Sequence, residues 1–183
     1  MNTIVLVCGS DSSGKTSTLK GFFSITAKNS PSILVKREID GMTICAVSFG
    51  SVQEELNKQE IKQRFCNYEQ VLKNIEKRVQ TCDSELKGKP YILLIPFTMS
   101  ASDADRKKLN HNCIIKPFEE LSKKFNVFPA YLRKARAQNQ EQKDALMKQI
   151  NAYFIIPDTI KTDCDRSNQL ETYIRQKIIP TIL

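Results

Sequence analysis

The first apolar stretch of the chain is short and unbroken. Residues 3–8 read TIVLVC, and such a run, rich in β-branched residues, is typical of a buried strand in a parallel sheet. Apolar residues then recur at Leu19, Phe22 and Phe23, which predicts one apolar face on a helix. The pattern therefore predicts a strand, a turn and a helix at the start of the chain.

Two further β-rich runs, residues 33–38 and 43–49, lie on either side of Asp40 and Gly41. Asp-Gly between two such runs is a strong hairpin signal. We therefore expect an antiparallel hairpin, added to one edge of a mainly parallel sheet.

Residues 91–97 read YILLIPF and form the strongest strand signal after the first. Residues 126–132 read NVFPAYL, and we expect them to be the last strand. Pro129 places this strand at a sheet edge, because proline has no backbone N–H to donate to a neighbouring strand.

Several polar segments carry apolar residues at helical spacing. Residues 52–87 have a narrow stripe that is expected to pack on the sheet, with a partner-helix interface and self-association as the alternative. Pro117 is expected to open a helix over 118–125. The remaining helices are predicted at 139–154 and from about 167 to 179.

The alternation of strands and helices predicts an α/β fold. We expect a three-layer sandwich around a mainly parallel sheet of about five strands, with the hairpin at one edge. A chain of 183 residues suits one domain with a substantial core, so residues 1–183 are predicted to be a single domain.

The turn after the first strand carries the candidate chemistry. Residues 9–16 read GSDSSGKT, which fits the phosphate-binding pattern G-x-x-x-x-G-K-[ST] between a strand and a helix. Gly9 and Gly14 let the backbone pass close to an anion. Lys15 supplies a charge for the β- and γ-phosphates, and the hydroxyl of Thr16 is expected to bind Mg²⁺.

These residue types predict a site for ATP and Mg²⁺, since free N–H groups at a helix N-terminus bind phosphate. ATP is chosen by default, because no guanine-reading N-K-x-D pattern occurs in the chain. The residues expected to hold the nucleotide are Gly9, Ser12, Ser13, Gly14, Lys15, Thr16 and Ser17.

On residues 9–16 the chain resembles the P-loop NTPase superfamily, and most of all its nucleoside- and nucleotide-kinase-type members. Thymidylate-kinase-type loops often read G-x-D-G-S-G-K-[ST]-T, so Asp11 matches their acidic position and Ser12 replaces a glycine. The resemblance implies a P-loop fold and places Asp11 near the phosphoryl acceptor. Arg37 and Glu38 faintly echo a later segment of these kinases, but ordinary charges on an edge strand are the preferred interpretation.

The chain departs from the superfamily at the end of residues 91–97. An aspartate that binds the metal through water often stands there, whereas this run ends in Pro96 and Phe97 and is followed by Thr98. The position is therefore vacant, shifted to Asp103, or filled by Glu38 or Asp40.

Basic residues follow the predicted strands. Arg106, Lys107 and Lys108 could form a lid or arginine-finger segment, or a solvated surface. Arg133 and Arg136 follow the predicted last strand and could border the phosphates or a nucleic acid.

The turn after residues 43–49 adds a conditional prediction. If that run is parallel to the first strand, Ser48 near its end and Gly50 and Ser51 after it lie near the phosphates. Glu54 or Glu55 could then touch Mg²⁺, although a helix cap is preferred for Glu54.

The net charge of +8 favours anionic partners, namely nucleotides, nucleic acid or an acidic protein, with a merely solvated surface as the alternative. The six cysteines lack zinc-type spacing and are expected to be reduced thiols. No apolar run approaches the length of a membrane span, and residues 3–8 are better used as a strand than as a signal. A cytoplasmic protein is therefore expected.

Two functions are consistent with these residues. The first is a Mg²⁺-dependent phosphotransferase of nucleotide-kinase type, in which Lys15, Asp11 and Arg106 act on the reacting groups. The second is an NTP-binding regulatory or accessory module whose output is a nucleic-acid or protein interaction. The acceptor in the first case could be a nucleoside, a nucleotide or a nucleic-acid end.

Overall fold

The computed structural model describes residues 2–10, 13–25, 34–52, 68–99, 111–133, 140–155 and 163–183. The strands are β1 (Thr3–Gly9), β2 (Val35–Ile39), β3 (Met42–Ala46), β4 (Tyr91–Thr98), β5 (Asn126–Leu132) and β6 (Tyr153–Ile155). The helices are α1 (Lys15–Phe22), α2 (Tyr68–Leu86), α3 (His111–Ser122), α4 (Gln140–Gln149), α5 (Asp163–Tyr173) and α6 (Ile179–Ile182), with a π-helical segment at Ile174–Ile178.

The described strands form one sheet of six strands, in the order β2-β3-β4-β1-β5-β6. Only β2 and β3 pair antiparallel, and the other pairs are parallel. The strand β1 lies in the interior between β4 and β5. The predicted α/β fold and mainly parallel sheet are confirmed, with one strand more than the expected five.

Helices cover both faces of this sheet. Ile4 and Leu6 of β1 belong to a buried cluster with apolar residues of α2, α3 and α4. Val5 and Val7, which point the other way, join a second cluster with α1, α5 and the π-helical segment. The alternation of side chains along a strand thus explains both cores, in agreement with the predicted three-layer sandwich.

The predicted hairpin is present and has a two-residue turn. Asp40 and Gly41 both have positive φ angles, 50° and 78°, as a type I′ turn requires. Arg37 of β2 donates to the carbonyl of Phe22 at 2.8 Å and pairs with Glu171 at 2.7 Å. These contacts tie the edge strand to α1 and α5, which agrees with the structural interpretation of its charges.

The predicted helix at 139–154 is wrong at its end, where the structure forms β6 instead. Asn151 has a φ of 53°. Its N–H donates to Lys148 O at 3.0 Å, and the N–H of Ala152 donates to Met147 O at 2.8 Å. Together these two bonds form a Schellman motif, which ends the helix and releases the chain into the last strand.

Two prolines also occupy other positions than predicted. Pro129 pairs with Leu6 in an interior strand, but β6 pairs with Ala130–Leu132, so within the described ranges no strand pairs with the other side of β5 at the proline. Pro117 lies inside α3, which begins at His111, rather than at the start of a helix.

The apolar stripe of α2 is buried against the sheet. Its buried members are Val71, Ile75, Val79, Cys82 and Leu86, and they share a cluster with residues of β1 and β4. This confirms packing on the sheet and leaves those side chains out of reach of a partner helix.

Candidate functional site

The described residues of the loop between β1 and α1, which are Ser10, Ser13 and Gly14, follow the carboxyl end of an interior strand. Gly9 is opposite Thr98 of β4 on one side and Leu132 of β5 on the other. The helix after β1 packs on one face of the sheet, whereas the helices after β4 and β5 pack on the opposite face. Open α/β sheets bind ligands at such a point, outside the strand ends where the connections diverge.

Both glycines of this loop meet a backbone requirement. A Cβ on Gly9 would lie 2.2 Å from Ser13 Oγ and 3.4 Å from Leu132 O. Gly14 has a φ of 86° and is the N-cap of α1. The hydroxyl of Ser13 is buried and has no hydrogen-bond partner among the described residues.

Lys15 is the first residue of α1, and its side chain folds back over the loop. Its Nζ donates to Gly9 O at 3.2 Å and to Ser10 O at 2.8 Å. Only 7% of the residue is exposed. The ammonium is therefore held beside the loop, where it would face an anion bound to the N–H groups of the helix N-terminus.

Thr16 connects this loop to the segment after β3. Its Oγ1 donates to the carbonyl of Phe49 at 3.0 Å. A hydroxyl that donates its hydrogen keeps its lone pairs, so the oxygen can still bind a cation such as Mg²⁺, which prefers oxygen ligands. Ser17 follows in the first turn of α1 and is half-buried.

The strand β3 is parallel to β4, so the condition placed on residues 43–49 is met. The segment after it, residues 47–52, lies beside Thr16 through the carbonyl of Phe49. Within it, the N–H of Gly50 donates to Ser48 Oγ at 3.1 Å. The hydroxyl of the buried Ser51 donates to Pro96 O at 3.5 Å. Glu54 and Glu55 lie outside the described residues.

Two polar residues on the buried side of α2 hold this segment. Arg78 donates to Gly50 O at 3.0 Å, and Asn74 donates to Val52 O at 3.1 Å. Both side chains are nearly fully buried. The sequence contained a signal for them, since the two residues are four apart and fall within the apolar stripe, where a polar residue needs a buried partner.

Two basic residues that were not singled out in the sequence contact the loop. Lys143 of α4 donates to Ser10 Oγ at 2.8 Å. Arg166 of α5 donates to Ser13 O at 3.2 Å. The adjacent Ser167 donates to Thr18 O at 2.8 Å and so fixes α5 to α1.

Arg133, for which the phosphates and a nucleic acid were the alternative partners, pairs with Asp144 of α4 at 2.9 Å. Gln140 donates to the other oxygen of that carboxylate at 2.6 Å. The other predicted site residues that lie outside the described part of the chain are Asp11, Ser12, Asp103, Arg106, Lys107, Lys108 and Arg136.

Glu38 and Asp40 cannot fill the vacant acidic position, which corrects one of the alternatives. Glu38 accepts a hydrogen bond from Thr43 at 2.7 Å, and Asp40 pairs with Arg175. Thr43 is opposite the first residue of β4, whereas the loop adjoins the last residue of that strand. At the rise of a strand these positions are roughly 20 Å apart.

Cys8, Cys45 and Cys82 are buried core residues, as expected for Cys8 and Cys45. Burial raises the pKa of Cys8 to about 12, against a smaller lowering by Lys15. Cys45 and Cys82 contact each other at 3.5 Å, and this hydrogen bond, together with burial, raises the pKa of the Cys45 thiol. Cys8 and Cys45 are therefore neutral at physiological pH and unsuited to nucleophilic attack.

In the part of the chain that the structure describes, no cluster of three or more His, Cys, Asp and Glu side chains could hold a metal ion. Nor does any helix within the described ranges combine the length and apolar composition needed to cross a membrane. Comparison with protein-family models, curated proteins and solved structures finds no match.

Proposed function

We propose that the chain binds ATP and Mg²⁺ at the β1–α1 loop and transfers a phosphoryl group to an acceptor, as a nucleotide-kinase-type P-loop protein. The position of Lys15 gives the strongest support. Its buried ammonium contacts the carbonyls of Gly9 and Ser10, at the carboxyl ends of the parallel strands, where ligands of α/β folds bind.

In this proposal the first residues of α1 have separate roles. The N–H groups at the start of α1 and the ammonium of Lys15 hold the β- and γ-phosphates. The Thr16 hydroxyl oxygen would bind Mg²⁺ while its O–H still donates a hydrogen bond to Phe49 O. The metal supplies neutralisation of charge that develops on the transferred group.

The roles of Asp11 and Arg106 rest on the sequence alone. Asp11 would orient the acceptor, as the resemblance to thymidylate-kinase-type loops implies. Arg106 would neutralise transition-state charge. The acceptor class is a nucleoside, a nucleotide or a nucleic-acid end.

The second candidate is an ATP-gated module whose output is a protein or nucleic-acid interaction. Two observations favour it. The strand β4 ends beside Gly9 in Thr98 rather than in an acid. Moreover, Thr16 is linked through residues 47–52 to Arg78 of α2, which would carry a change at the nucleotide to a helix away from the loop.

The test uses γ-labelled ATP and Mg²⁺ with separate acceptors: water, nucleosides, nucleoside monophosphates and short nucleic acids. Wild type is compared with Lys15→Ala and with Lys77→Ala, which removes an exposed lysine of α2. We expect label in one acceptor class, reduced at least about a hundredfold in Lys15→Ala and unchanged in Lys77→Ala.

The possible outcomes separate the two candidates. Binding of ATP without transfer to any acceptor would reject the phosphotransferase and leave the ATP-gated module. Failure of wild type to bind ATP at all would reject both.

A further inference from the structure

Three basic side chains from three separate elements converge on the β1–α1 loop. Lys15 comes from α1, Lys143 from α4 and Arg166 from α5. Each contacts the loop between 2.8 and 3.2 Å. A short loop that gathers three positive charges is suited to an anion of high charge.

Two of these basic side chains contact the same residue, Ser10. Lys15 donates to the carbonyl of Ser10 and Lys143 to its hydroxyl, both at 2.8 Å. Their ammonium groups therefore lie within about 10 Å of each other. Each lysine is less than a tenth exposed, so water would screen its attraction for an anion poorly. An anion bound beside Ser10 would be attracted by both.

The third charge lies further along the loop. Arg166 contacts Ser13 O, so a positive charge lies beside Ser13 as well as beside Ser10. An extended chain of phosphates fits this distribution better than one phosphate group.

From this arrangement we infer that Lys143 is a second phosphate-binding lysine, which acts with Lys15 and makes the loop selective for nucleoside di- and triphosphates over monophosphates. This inference rests on the proposed nucleotide site. It adds a binding residue from the far part of the chain and the source of a preference among nucleotides, whichever acceptor is used.

The test is calorimetric binding of AMP, ADP and ATP with Mg²⁺ to wild type and Lys143→Met. Lys148→Met is the matched control, because Lys148 is exposed on the same helix. We expect Lys143→Met to weaken ATP binding at least about tenfold, or about 1.4 kcal/mol, and AMP binding less than twofold. Lys143→Arg keeps the charge and should recover part of the preference, and Lys148→Met should match wild type.

A merely structural role for Lys143 predicts a different result. It would lower the melting temperature of Lys143→Met while affinity for the three nucleotides fell equally or not at all, and either result overturns the inference. If Lys143→Met does not fold, Ser10→Ala removes the hydroxyl that holds Lys143. The ATP-over-AMP preference must then fall in Ser10→Ala, and an unchanged preference rejects the inference.

The two proposals can fail separately. Wild type that binds ATP, with binding lost in Lys15→Ala but unchanged in Lys143→Met, leaves the nucleotide site standing and removes only Lys143. Wild type that binds no nucleotide removes both.

Discussion

At the scale of single residues, the space around Gly9 is the tightest constraint on the β1–α1 loop. A Cβ there would lie 2.2 Å from Ser13 Oγ and 3.0 Å from Ser13 Cβ. Ser13 is buried, with 4% of its surface exposed, so its side chain has little room to move away. The glycine is needed to let Ser13 pack beneath the backbone.

Gly9→Ala should therefore lower the free energy of unfolding by about 1–3 kcal/mol, as overpacking does. Ser13→Gly removes both clashing atoms, so Gly9→Ala combined with Ser13→Gly should lose less than the sum of the single variants. Urea denaturation of the four proteins in a double-mutant cycle measures this coupling. Gly41→Ala is the comparison variant: nothing lies within 4 Å of its added Cβ, but alanine is strained at its φ of 78°, so its loss of stability should be independent of Ser13→Gly. Strictly additive effects would contradict the proposed contact.

At the scale of elements, α2 is both a core helix and a support for the segment after β3. Its apolar stripe packs on the sheet, while Arg78 and Asn74 hold the carbonyls of Gly50 and Val52. The same segment accepts the hydroxyl of Thr16 through Phe49 O. The position of a proposed metal ligand thus depends on a helix that lies outside the loop.

Arg78→Met should lower the free energy of unfolding by about 2 kcal/mol or more, because it leaves a backbone acceptor without its charged donor. It should also weaken the dependence of ATP binding on Mg²⁺, since residues 47–52 no longer hold Thr16 in place. Denaturation and ATP titrations with and without Mg²⁺ test the two effects. The exposed neighbour Lys77→Met should change stability by no more than about 0.5 kcal/mol. Unchanged Mg²⁺ dependence in a destabilised Arg78→Met would restrict Arg78 to a packing role.

Which elements could be predicted from the sequence follows from how local their signals are. The hairpin was predictable because Asp40 and Gly41 determine their turn themselves. The strand β6 was missed because Tyr153 continues the apolar spacing of α4, although Asn151 carries the helix-ending signal. Pro129 misled because the short β6 leaves the proline unpaired on one side of an interior strand.

At the scale of the whole molecule, the sheet brings distant parts of the chain to one loop. Gly9, Gly14, Lys15 and Thr16 were predictable, since a strand, a glycine-rich turn and a helix are adjacent in sequence. Lys143 and Arg166 were not, because they contact residues 133 and 153 positions away. Their place at the site depends on the strand order, which no local pattern encodes.

This convergence predicts that a ligand at the loop stabilises several elements together. ATP with Mg²⁺ at 100 times its dissociation constant should add about 2.7 kcal/mol of stability, which is a rise in melting temperature of about 5–10 °C. Amide hydrogen exchange should slow in α4 and α5 as well as in α1, because Lys143 and Arg166 reach the loop from those helices.

The turn between β2 and β3 lies at the opposite end of the parallel strands from the loop and provides an internal control. Its amide exchange should slow only as far as the ligand reduces global unfolding. Lys15→Ala should abolish both the stabilisation and the slowed exchange. Protection confined to α1 would contradict the convergence of three elements on the ligand, because α4 and α5 would then contact the loop without sensing what it binds.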